Sequence, residues 1–60
     1  MPIIQVEILK GRTVAQKREM VKEVTGAVCK TLSCPPEAVS IVIREMEKED
    51  YAVAGKLYSD

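Results

Sequence analysis

The chemistry available to this chain starts at its second residue. In the opening segment MPIIQVEILKGR a proline stands directly behind Met1, and Arg12 closes the segment. With Met1 attached, the Pro2 nitrogen is a tertiary amide with no basicity. Removal of Met1, which a proline at the second position permits, leaves a secondary amine on a rigid ring, a group that can take and give a proton. Arg12 offers a complementary capacity, because a guanidinium grips a carboxylate through two parallel hydrogen bonds. A base and an anchor together describe proton transfer on a small carboxylic acid.

To act as a base near neutral pH the amine must be unprotonated. An apolar pocket and a nearby cation both lower an ammonium pKa. Ile3 and Leu9 supply apolar neighbours and Arg12 the cation. Distance then constrains the arrangement, since the run Pro2 to Leu9, extended at ~3.3 Å per residue, spans roughly 26 Å. Pro2 and Arg12 of one chain cannot hold the same small molecule. They can meet only across an interface between subunits.

Other catalytic machinery is missing. The chain has no histidine, which removes nucleophilic triads, and no glycine-rich loop of phosphate-binding form. Cys29 and Cys34 are the only cysteines, without a CxxC motif or a second pair at zinc-ligand spacing, and are read as structural or incidental thiols. A structural metal is not expected. Lys10 and Lys56 are read as solvated lysines. Nine basic residues balance nine acidic ones, and there is no tryptophan or phenylalanine and only two tyrosines. That leaves no electrostatic footprint for nucleic acid or membrane and little to stack on bases. Without a signal-peptide or membrane-length apolar segment, the expected compartment is the cytoplasm.

The elements that must position Pro2 and Arg12 are legible in the hydrophobic pattern. Pro2 to Leu9 reads as a strand with Ile4, Val6 and Ile8 on one face and Ile3, Gln5, Glu7 and Leu9 on the other. Gly11 and Arg12 form a turn, and Thr13 with Gln16 is a capping-box pattern for a helix starting near Thr13. Met20, Val21, Val24, Ala27, Val28 and Leu32 form its apolar stripe, with Lys17, Arg18, Lys22, Glu23 and Lys30 covering the rest. Pro35 and Pro36 force a stop near Leu32 or Ser33. Val39 to Glu45 is a second strand, Glu45 to Asp50 a charged, solvated connector, and Tyr51 to Gly55 a short extended or hairpin element before a polar tail.

Strand, helix and strand make a βαβ unit with parallel strands and a right-handed crossover. Residues 1–60 are expected to form one α/β domain, with the helix on one sheet face. The other face also carries apolar residues, and a chain this short buries too little to be secure alone. Another subunit is expected to cover it.

Taken together, Pro2, the run Leu9, Gly11 and Arg12, the following Gln16 and Lys17, Glu45 with Met46, and the YAVAG segment resemble the 4-oxalocrotonate tautomerase family over essentially the full length. The resemblance implies a β-α-β subunit with a short C-terminal hairpin, assembled as a homohexamer, a trimer of dimers, with sites at subunit boundaries. It implies cofactor-independent keto-enol tautomerisation, with processed Pro2 as general base, Arg12 binding the substrate carboxylate, and Tyr51 where a pocket phenylalanine normally stands. It also exposes a departure. Best-studied members carry a second arginine at the start of strand two, where this chain has Ser40. Arg44, on the same strand face but roughly 13 Å along, is a weak substitute. The chain is most similar to the subgroup lacking that arginine. Small enol acids of the 2-hydroxymuconate or phenylenolpyruvate type are the expected substrates. The alternatives are a haloacrylate dehalogenase-like hydratase and a non-catalytic oligomeric binding module.

Overall fold

A computed structural model describes residues 1–60, in which strand β1 (Ile3–Leu9) leads to helix α1 (Val14–Leu32) and strand β2 (Ser40–Met46). Two short strands, β3 (Ala52–Val53) and β4 (Lys56–Leu57), follow, with 3-10 turns at Pro36–Ala38 and Lys48–Asp50. β1 and β2 are parallel, in a register running from Ile3 opposite Ser40 to Leu9 opposite Met46. β3 and β4 form a separate antiparallel hairpin. The β-α-β reading therefore holds.

The start of α1 is fixed by the residues that the sequence singled out, and its end falls where Pro35 and Pro36 placed it. The Thr13 hydroxyl accepts the Gln16 N–H, and the Gln16 side chain accepts the Thr13 N–H in return, completing the capping box. Ser33 adopts a left-handed conformation beyond the last turn, and the Ser33 and Cys34 N–H groups both donate to the Cys29 carbonyl.

Four boundaries shift. β1 begins at Ile3, although Pro2 still joins the ladder through its carbonyl, which accepts the Ser40 N–H. β2 runs Ser40–Met46 and not Val39 to Glu45, because the Val39 N–H is spent closing the 3-10 turn on Pro36 while the Met46 carbonyl accepts the Lys10 N–H. The charged connector is not simply solvated: its first two residues lie in β2, and Lys48–Asp50 close a 3-10 turn. The tail is no tail at its start, since Lys56 and Leu57 return as β4. Ala54 and Gly55, with φ of 53° and 82°, make the two-residue turn between β3 and β4.

The covered stripe of α1 is Lys17, Met20, Val21, Val24, Thr25, Val28 and Cys29, all half-buried. Ala27 and Leu32, expected on it, are exposed. The three-and-four spacing starts from Lys17, which its charge had assigned to the solvent side. Beneath the stripe lie Ile4, Val6, Ile8, Ile41 and Ile43, also half-buried. The opposite sheet face leaves Ile3 and Val42 open, at 50% and 40% exposure.

No residue of the protomer is fully buried, and its accessible surface is 4772 Å², against about 3,900 Å² for a self-contained monomer of this mass. Its radius of gyration is 14.4 Å, where a compact domain of this length has about 10 Å. With extents of 43 × 25 × 13 Å, the chain is a thin slab with one sheet face open. No helix is long and apolar enough to cross a membrane.

Candidate active site

The Pro2 end is anchored by backbone. The Pro2 carbonyl accepts the Ser40 N–H at 3.0 Å. This bond uses the carbonyl and leaves the ring nitrogen, which has no N–H to give the ladder while it is acylated, outside the sheet's hydrogen bonding. Ile3 lies opposite Ser40 in the register. The position where the resemblance expects a second arginine is thus the immediate cross-strand neighbour of the Pro2 segment, and it carries a hydroxyl.

The Arg12 end is built by the turn into α1. The Lys10 N–H bonds to the Met46 carbonyl at 2.9 Å. Gly11 follows at φ 132°, a conformation that a side chain would strain. Arg12 then lines a hollow of about 150 Å³ with Ile8, Gln16, Lys17 and Met20. Around it, Lys17 Nζ lies 2.9 Å from Glu45 Oε1, and Lys10 Nζ 2.9 Å from Glu47 Oε1. The hydrogen bond and charge of Glu47 raise the Lys10 pKa above its ordinary value. Lys10 is therefore ion-paired as well as exposed. Arg12 itself has no ion-pair partner.

Near the C-terminal hairpin, Tyr51 and Tyr58 meet edge to face with ring centroids 5.9 Å apart, and the Tyr58 N–H donates to the Tyr51 carbonyl at 2.8 Å. Both rings, with Glu7, Ile8, Leu9 and Met46, line a recess of about 340 Å³. No group of three side chains able to hold a metal ion occurs.

The structure brings Leu9 and Tyr51 together and sets Arg12 in an adjoining hollow that shares Ile8. Pro2 and Ile3 are not with them. The seven residues of β1, roughly 23 Å of extended chain, lie between Pro2 and the turn that holds Arg12. Sequence reasoning missed Tyr58 and the Lys17–Glu45 pair. Tyr58 was legible in principle, since Tyr51 and Tyr58 flank the Ala54–Gly55 turn symmetrically. The ion pair was not, because pairing across a crossover depends on the register of α1 over β2.

These features define a class of small, flat β-α-β protomers whose chemically capable residues sit at opposite ends of one strand. The family model described as tautomerase enzyme matches residues 2–60. The 2-hydroxymuconate tautomerase of Bacillus subtilis strain 168 is 48% identical over 60 residues, covering 100% of this chain and 97% of that protein. Among solved structures, YwhB, a homologue of 4-oxalocrotonate tautomerase, superposes with a TM-score of 0.95 at 47% identity, over 98% of this chain and 97% of that one. A structure from work on the 4-oxalocrotonate tautomerase isozymes of Methylibium petroleiphilum gives 0.93 at 46% identity, over 97% and 91%. The chain belongs to the tautomerase family, and it is an isomerase. That sets aside the non-catalytic binding module.

Proposed function

We propose that the protein is a cofactor-independent keto-enol tautomerase of small carboxylated enols, of the 2-hydroxymuconate or phenylenolpyruvate type, working in the cytoplasm as a homohexamer. The observation that carries this reading is the separation of Pro2 from Arg12 in a protomer that buries none of its residues. Each end is half a site, and a neighbouring subunit completes it.

In the mechanism, Pro2 with its nitrogen freed by loss of Met1 removes the enol hydroxyl proton. The oxygen lone pair becomes the carbonyl, the carbon-carbon π electrons move to the distal carbon, and the prolinium returns the proton there. The amine ends as it began, and the substrate gains and loses nothing. Arg12 from a neighbouring subunit holds the carboxylate and, as a cation, keeps the amine unprotonated near neutral pH. Ile3, Leu9 and Tyr51 supply the apolar wall. The relative named 2-hydroxymuconate tautomerase supports this substrate class, while Ser40 in place of a second cation favours acids that need only one carboxylate anchored.

The test follows the ultraviolet loss of an enol acid, after intact mass has established that Met1 is removed. Pro2→Ala should lower kcat by roughly 10² to 10⁴, and Arg12→Ala should chiefly raise KM. Full activity in correctly processed Pro2→Ala would refute the mechanism.

A further inference from the structure

We propose that Glu45, through Lys17, braces the Arg12 turn, and that Lys17 and Glu45 are positioning residues for the Arg12 guanidinium. The inference rests on Arg12 being the carboxylate anchor. Lys10 precedes Arg12 and Lys17 follows it, and each ammonium lies 2.9 Å from one of the two carboxylates that flank Met46 in sequence. Between them the Met46 carbonyl accepts the Lys10 N–H at 2.9 Å. The end of β2 therefore holds the chain before Arg12 by backbone and side chain, and the chain after it by side chain.

The two braces are not equal. The side chains of Lys10 and Glu47 are 59% and 52% exposed, whereas those of Lys17 and Glu45 are 24% and 28% exposed. An exposed pair is screened and loosely held, and contributes little to fixing geometry. The covered pair is the effective brace. Glu45 shares the helix-side face of β2 with Ile41 and Ile43 and lies opposite Ile8, and Ile8, Lys17 and Arg12 line one hollow. Lys17 is also held from behind, because its N–H donates to the Thr13 carbonyl beside the capping box.

Two consequences converge on Arg12. Position is one: the helix start that follows Arg12 immediately is tied to β2, so the guanidinium swings from a fixed base. Charge is the other. Lys10 and Lys17 are each matched by a carboxylate, which leaves Arg12 as the one unmatched cation of the turn for an incoming anion.

The experiment compares phenylenolpyruvate with its methyl ester, which offers no carboxylate, and reads the acid-over-ester ratio of kcat/KM. Lys17→Met and Glu45→Gln should lower that ratio at least about fivefold, mainly through KM for the acid, while Lys17→Arg, which keeps the pair, should stay within about twofold of the parent. Loss of general structural integrity would lower both substrates together and leave the ratio in place. Glu45→Gln is near-isosteric, so it decides the matter even where Lys17→Met fails to fold. An unchanged ratio in folded Glu45→Gln, beside a collapsed ratio in Arg12→Ala, overturns the brace and spares the anchor. An unchanged ratio in Arg12→Ala overturns the anchor itself.

Discussion

At Pro2 the fold and the proposed chemistry use different atoms of one residue. The carbonyl is held by Ser40, which fixes the ring at the corner of the sheet without involving the nitrogen. A terminal amine on a frayed end would lose the benefit of positioning, whereas the Pro2 amine of the proposed mechanism would be tethered next to a seven-residue strand. Cys29 shows the opposite treatment of a potentially reactive group. Its place on the covered stripe, and secondarily the neighbouring Cys34 thiol, raise its pKa. The neutral thiol is therefore favoured in the fold, so stability associated with Cys29 is intact below the ordinary thiol pKa and is lost as pH rises through the raised folded value. At pH 8 Cys29 should react with iodoacetamide more slowly than an unfolded cysteine, as read by peptide mass mapping; parity with the unfolded rate would contradict this. Residue types suggested the base and the anchor directly. Tyr58 and the Glu45 brace escaped notice, because each owes its role to a contact and not to its type.

Among the elements, the capping box and the two prolines made α1 readable nearly to the residue, since caps are local and their partners lie within four positions. The strands were placed to within one residue for a related reason: alternation is a strong signal, but the first and last ladder bonds depend on the partner strand. The hairpin was only half read. YAVAG lacks an Asn-Gly or Asp-Gly turn signal, and the structure places Ala54, which carries a Cβ, at φ 53° in the turn. Left-handed backbone costs such a residue roughly 1–2 kcal/mol. Ala54→Asn, the residue preferred before glycine in this turn type, should stabilise the protein by about 0.5–1 kcal/mol, seen as a raised thermal midpoint. A lowered midpoint would mean that Ala54 is held by contacts outside the hairpin.

On the scale of the molecule, the sequence foretold an incomplete protomer, and the structure gives that incompleteness its dimensions: a slab 13 Å thick with no fully buried residue. A two-stranded sheet with one helix cannot close its own core, so its open face, with Ile3 and Val42, needs a second layer. The same shape sets Pro2 and Arg12 apart along β1, so in the proposed mechanism assembly and activity are one requirement. The partner's register was beyond the reach of a single chain, because no pattern within a sequence states which surface of a second copy it meets. The most direct test mixes two impaired variants, Pro2→Ala and Arg12→Ala, unfolds them together, refolds them at equal amounts and reads activity at substrate well below KM. If base and anchor come from different subunits, random assembly should restore about a quarter of the parental sites, since each intact site draws its proline from one variant and its arginine from the other. Mixed oligomers with no more activity than the two variants alone would place both residues in one chain's site and contradict the account.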